Sequence, residues 1–416
     1  MSRIPLSPST MPWVVRAPLL FMLLLVPACG GGNSPGGPTG PVDGVAILSG
    51  YVRSAGSSSL LANATVKIGA NIATTDANGH FELTGLKVGA ATARAERPGF
   101  VPSEAALTLN AGGNTHDFAL SAQEIYQIGA YAVLVPAGVA QIRGAIVTLG
   151  GPTTSGFVTG GSINGGQPNE AALQALGADL RFLARSAGVA LLGTAQIALA
   201  NNTESDSEIL AALRSAALAS GHPELEAVPL VMFGLSAGAR EAAGLASRLP
   251  QRTIGLLARV PVGVTALTEA TQLAVPTFIM QGELDDALNA SVQPVFSSNR
   301  AQGGLWALAV EAGATHSTVS VTGNAASTGW IRSALMLRLP SRQGDPLVTV
   351  NETVGWLGNQ ATLEIARWGD YVGDRTTASW LPTDADAVTW KQLGTLGGGS
   401  GGGSSRLPTS SIAPER

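Results

Sequence analysis

Apolar and polar positions change rhythm along this chain. Between residues 45 and 122 they alternate in short runs, and 46–52, 64–68, 72–75, 81–83, 91–96 and 105–109 each read as a half-buried strand. Asp76-Ala77-Asn78-Gly79 interrupts them with residues that tolerate positive φ, which marks a turn. Period-two patterning with regular turns predicts an all-β sandwich of about 80 residues.

After Glu124 the rhythm is different. Residues 131–136 and 139–143 predict an antiparallel hairpin. The continuous apolar runs 145–149, 189–192, 229–233, 254–260, 277–281 and 306–311 predict buried strands. Helical spacing appears at 169–187, 206–220, 292–302 and 329–339. Strands alternating with helices predict a mostly parallel sheet with helices on both faces. Chemistry in such sheets collects at the carboxyl ends of the strands.

Three segments at those ends carry candidate chemistry. The run 229–233 leads into Gly234-Leu235-Ser236-Ala237-Gly238 and then a helical pattern, the strand–turn–helix setting of a nucleophile elbow. So tight a turn would drive side chains two residues either side of the serine into strand and helix, and glycine removes that collision. The serine is then held above the sheet, beside a helix N-terminus that favours developing negative charge. After 277–281 comes Gly282-Glu283-Leu284-Asp285-Asp286, where an acid could orient a histidine. Asp285 fits best by its spacing from Gly282, with Asp286 and Glu283 as alternatives and a helix-capping aspartate as the plain explanation. After 306–311 comes Ala312-Gly313-Ala314-Thr315-His316-Ser317, and His316 is the one histidine downstream of the acid. His222 precedes the elbow strand and belongs to the opposite rim. His80 and His116 fall in the β module and read as strand or loop residues. The segment 194–208 reads as a loop leading into a helix cap, with Ser205 and Glu208 at capping-box spacing.

Ser236, Asp285 and His316, in that order and each after a strand, resemble the α/β-hydrolase family over about residues 126–339. The resemblance implies acyl transfer to water by a Ser–His–Asp triad, with an oxyanion hole at the backbone N–H of Ala237 and one from the loop after 145–149. That loop reads Gly150-Gly151-Pro152-Thr153 and lacks the family's usual His-Gly pair. Pro152 has no N–H, so Gly151 is the better candidate. The earlier module resembles the carboxypeptidase regulatory-like domain through Gly50-Tyr51-Val52, Ala64-Thr65-Val66, the 75–81 turn, Gly89 and Pro98-Gly99-Phe100. That resemblance implies a structural or adhesive accessory.

Composition narrows the function classes. The 416 residues are 45% hydrophobic and 12% charged, with net charge -4 and no basic stripe, so no nucleic-acid partner is expected. The single cysteine, Cys29, excludes an intrachain disulfide and a cysteine-based zinc site, and no metal or cofactor is expected. Cys29 ends an N-terminal segment with Arg3, Arg16 and an apolar run at 17–28, short for a membrane span but suited to a signal peptide. Val26-Pro27-Ala28-Cys29 resembles the lipobox of bacterial lipoproteins, departing at Pro27. It implies lipid attachment at Cys29 and, with Gly30 following, an outer-membrane location, periplasmic or surface-facing; the alternative is ordinary secretion with an incidental cysteine.

The expected organisation is a signal peptide over 1–28, a Gly/Pro-rich tether over 29–44, the sandwich over 45–122 and the α/β-hydrolase domain over 123–340. An annex over 341–396 holds Trp356, Trp368, Trp380 and Trp390, expected to pack on the hydrolase rather than to bind substrate. A flexible tail over 397–416 follows. The favoured function is a lipid-anchored serine hydrolase acting on a small-molecule or polymer carboxylic ester. The alternatives are a non-catalytic envelope binding protein on the same scaffold and a peptidase of the same fold.

Overall fold

The computed structural model describes residues 44–150, 153–163, 165, 168–195 and 203–395. The first module is built from β1 (Val45–Ser54), β2 (Thr65–Ile68), β3 (Asn71–Thr74), β4 (His80–Lys87), β5 (Gly89–Glu96), β6 (Ser103–Leu109), β7 (Gly112–Thr115) and β8 (Phe118–Leu120). One sheet places β1 between β4 and β7, with β8 also pairing β1; the other runs β3-β2-β5-β6. Alternate residues such as Ala46, Leu48 and Val52 point inward and meet Val66, Phe81, Ala93 and Phe118 in one apolar core. The turn at 76–79 forms as expected: the Asp76 side chain accepts from the N–H groups of Asn78 and His80 (2.8 and 2.9 Å). β7 reads GGNT and has no apolar period. It forms because β1 offers it a parallel ladder from Ala46↔Gly112 to Ser49↔Thr115.

The second region begins with β9 (Ile125–Ile128), β10 (Tyr131–Leu134) and β11 (Ala145–Gly150). Next come α1 (Ser155–Thr159), α2 (Glu170–Ala187), β12 (Ala190–Thr194), α3 (Thr203–Ser220), β13 (Leu230–Leu235), α4 (Ala237–Arg248) and β14 (Thr253–Arg259). Then follow α5 (Ala270–Leu273), β15 (Thr277–Gly282), α6 (Asp286–Ala301), β16 (Trp306–Glu311) and α7 (Val321–Arg338). The eight strands are ordered β16-β15-β14-β13-β11-β12-β10-β9. The six from β16 to β12 pair in parallel, and the β9–β10 hairpin adds antiparallel. The hairpin differs from the expected one. It turns at Gly129, whose φ is +58°, while Val139 to Arg143 connects to β11 without forming a strand. There Ile142 and Arg143 spend their N–H groups on Glu224 and on the Gly188 carbonyl.

Every residue of β11 to β15 is buried, as a sheet covered on both faces requires. Side chains alternate between two cores. Leu230 and Met232 face α3, α4 and α6; Val231, Phe233 and Leu235 face α2 and α7. Trp306 and Trp330 are core residues. α3 begins earlier than its apolar spacing suggested, so Ser205 lies inside the helix and not before it. α7 also starts early, because the Ser320 hydroxyl accepts from Gly323 N–H and caps it. A β-sandwich followed by an α/β-hydrolase architecture is the fold class expected from the sequence.

The C-terminal segment adds β17 (Trp356–Gly358), β18 (Ile365–Arg367), β19 (Ser379–Leu381) and α8 (Asp384–Thr395). Trp380 and Trp390 are buried and donate their indole N–H groups to the carbonyls of Glu352 and Leu308 (2.9 and 2.7 Å). Arg367 and Arg375 lie over the rings of Trp356 and Trp368. Leu308 faces away from β15. Its carbonyl also accepts from Gln360 and Ser379, and its N–H donates to the Ser379 hydroxyl. Annex side chains thus occupy the outer flank of β16.

Candidate active site

The elbow is built as its spacing demands. Ser236 sits between β13 and α4 with φ +52° and ψ −121°, a region side chains rarely adopt. A Cβ on Gly234 would lie 2.3 Å from the Ala239 Cα, and one on Gly238 would lie 2.3 Å from the Leu149 carbonyl carbon. Neither position accepts a side chain, so both glycines are steric requirements. The strained serine is held from both sides: its N–H donates to the Arg259 carbonyl (3.0 Å), and its carbonyl accepts from Val262 N–H (3.2 Å).

Three carboxyl ends converge on its hydroxyl. Ser236 follows β13, Asp285 follows β15 and His316 follows β16. Ser236 Oγ lies 2.9 Å from His316 Nε2, and His316 Nδ1 lies 2.7 Å from Asp285 Oδ2. Asp285 occupies the cap position of α6 yet makes no capping bond to that helix; its carboxylate serves the imidazole. Asp285 is largely covered, while the His316 side chain keeps 36% of its surface open to an incoming molecule. Gly282 permits the convergence: a Cβ there would lie 2.4 Å from the Ala314 carbonyl oxygen, so only glycine lets the two loops meet.

The other candidates separate. Glu283 accepts from Gly313 N–H (2.8 Å) and does not serve the imidazole. Asp286 opens α6, and its side chain lies outside the described ones. Ala237 is the first residue of α4, where N–H groups have no partner within the helix. Gly151 and Cys29 lie outside the described residues. The chain beyond Gly151 is anchored beside the elbow: Thr154 Oγ1 donates to the Thr148 carbonyl (2.7 Å) and accepts from Thr194 N–H (3.0 Å). His222 pairs with Glu224 at the other rim. His80 and His116 pack edge-on against Tyr51 and Phe118. Among the described residues no group of three or more His, Cys, Asp or Glu could hold a metal, and no helix is long and apolar enough to cross a membrane.

One part of the site escaped the sequence reading. Arg259, at the end of β14, is 1% exposed. Its Nη1 donates to Asn324 Oδ1 (2.7 Å), and Asn324 Nδ2 donates to the Ala172 carbonyl (2.9 Å), tying β14 to α7 and α2 under the rim. Burial lowers its pKa to about 10, opposed by the nearby Glu311 carboxylate, so it stays charged at neutral pH. The available signal was an arginine closing an apolar strand run at the rim where sites form.

Residues 47–121 match the family model of the carboxypeptidase regulatory-like domain. A comparison with curated proteins gave no match. Among solved structures, the chain is similar to a type II cohesin–X-dockerin complex from Acetivibrio cellulolyticus (22% identity, TM-score 0.18). That alignment covers 20% of this chain and 62% of the other, so the chain spans less than two thirds of that protein. It is similar to a dienelactone hydrolase from Anabaena variabilis at 16% identity, over 52% of this chain and 98% of that one, with a TM-score of 0.33. It is similar to an S-formylglutathione hydrolase from Agrobacterium tumefaciens at 16% identity, over 51% of this chain and 91% of that one, with a TM-score of 0.33.

Proposed function

We propose that this chain is a serine hydrolase that cleaves a carboxylic ester, in a small molecule or a polymer, through an acyl-enzyme. One observation carries the reading: a strained serine hydroxyl 2.9 Å from an imidazole nitrogen whose other nitrogen lies 2.7 Å from a carboxylate. Neutral His316 takes the proton as Ser236 Oγ bonds to the acyl carbon, and Asp285 holds the ring and stabilises the imidazolium. The oxyanion is met by Ala237 N–H, with Gly151 as second donor. Collapse breaks the carbon–oxygen bond to the leaving alcohol, which receives the proton from His316. Water then repeats the sequence, releasing the acid and freeing Ser236.

A fluorophosphonate probe should label Ser236, and Ser236→Ala should abolish both labelling and ester turnover. A folded wild type that stays unlabelled overturns the assignment. Ester against amide is decided by matched ester and peptide panels; turnover confined to peptides would replace the esterase with a peptidase. The Val26–Cys29 pattern supports a lipid anchor in the cell envelope, with the membrane as partner. Metabolic labelling with a fatty-acid analogue should mark the wild type and spare Cys29→Ala, and an unlabelled wild type would remove the anchor.

A further inference from the structure

The loop that carries His316 is tied to chain from three other places. Ala312 N–H donates to the Leu393 carbonyl in α8 (2.9 Å), and Ala314 O accepts from Leu284 N–H (2.8 Å). Asn169 Nδ2 donates to the Ser317 carbonyl (3.1 Å), and Gly313 N–H donates to Glu283 Oε2 (2.8 Å). Inside the loop, Thr315 N–H donates to Thr318 Oγ1 (2.9 Å).

The Glu283 bond stands apart because a carboxylate accepts it, and charge-assisted bonds are roughly twice as strong as neutral ones. It also comes from the segment that supplies the acid. Glu283 lies two residues before Asp285, and Gly313 lies three before His316. One five-residue stretch therefore sends one carboxylate to the imidazole and another to the backbone that leads to it. The second contact, beside the Leu284 N–H bond to the Ala314 carbonyl, spans the gap across which the first must reach. Glu283 is exposed, so replacing it leaves the core untouched.

We infer that Glu283 is a positioning residue. By holding Gly313 N–H it locks the base loop against the acid loop and keeps His316 within reach of Ser236. The activity part of this inference rests on the hydrolase reading above; the structural part does not. With the clamp gone, fewer molecules hold the imidazole in place at any moment. Displacements of about 1 Å at a reacting group can cost on the order of 100-fold, so partial loosening predicts a smaller loss.

The test compares Glu283→Ala with Glu283→Gln, whose amide oxygen can accept the same N–H. On a soluble short-chain aryl ester, Glu283→Ala should lower kcat about tenfold, with KM within twofold. Glu283→Gln should recover about half of kcat or more. By hydrogen-exchange mass spectrometry, peptides covering 312–318 should exchange faster in Glu283→Ala and at the wild-type rate elsewhere. Wild-type kcat in Glu283→Ala, or a Gln variant as slow as Ala, overturns the positioning role. If the wild type is not labelled at Ser236, the hydrolase reading falls by itself. Exchange then judges the clamp alone, and an unchanged rate in 312–318 overturns it.

Discussion

The two rims of the large sheet each hold a histidine paired with a carboxylate, and only one of the pairs faces a strained serine hydroxyl. At the amino rim His222 Nδ1 lies 2.9 Å from Glu224; at the carboxyl rim His316 Nδ1 lies 2.7 Å from Asp285. The pairs are alike in chemistry and differ in their surroundings. At the amino rim His222 and Glu224 open a short 3-10 turn, Pro223–Glu226, just after α3 ends at Ser220, and no strained hydroxyl among the described residues faces them. The carboxyl-rim pair meets the start of α4, whose N–H groups favour an anion. Glu224 also spends its carboxylate on Ile142 N–H, which makes that pair a strut. A histidine–acid pair is therefore common hardware. The strained hydroxyl of Ser236 is what turns one copy into a candidate engine.

Breaking the carboxyl-rim pair should have the largest effect. Asp285→Asn keeps the shape but removes the charge and upsets the tautomer of His316, so kcat for ester hydrolysis should fall about 10³- to 10⁴-fold with the fold intact. A loss below tenfold would move the acid role elsewhere. Next comes the turn that creates the difference. Gly238→Ala forces a methyl into the Leu149 carbonyl and should cost about 3 kcal/mol in urea unfolding. Native stability in that variant would mean that the elbow is not as tight as described.

The smallest effect belongs to the strut. Burial pushes the Glu224 carboxyl up, but the N–H groups of Ile142 and Glu224 itself, with His222, outweigh it and hold the group below its ordinary 4.5. A lowered carboxylate pKa adds stability that is present above the unfolded value and lost as pH falls through the folded one. Glu224→Gln should therefore cost about 1 kcal/mol at pH 7, and the gap to wild type should close below pH 4.5, with kcat unchanged throughout. A gap that stayed constant with pH would show that the charge of Glu224 contributes nothing.

Much of this contrast could be read from the amino acids because both periodicity and steric need are local. The run 306–311 coincides with β16, since a buried parallel strand is a continuous apolar run. Glycines 234 and 238 marked a turn that no other residue allows. The β9–β10 hairpin differs from the expected one because Val139 to Arg143 has strand-like composition, while the N–H groups of Ile142 and Arg143 go to partners far along the chain. β7 has no pattern of its own and exists only through β1. Among Glu283, Asp285 and Asp286, spacing ranked the candidates. The separate job of Glu283 depends on how closely two loops approach, which no single stretch encodes. The role of Arg259 is hidden for a similar reason: an arginine at a strand end looks solvated until α7 is laid across it.

Leu308 has a consequence for the whole molecule. β16 is the last strand of its sheet, and a bare outer strand is a template on which another chain can build. Here that template is plugged by hydroxyl, amide and indole groups reaching back from beyond residue 350. Clipping the polypeptide between α7 and β17 would do more than trim an ornament. It would uncover a sticky flank, and the shortened protein should form sheet-to-sheet oligomers before it shows any loss of secondary structure.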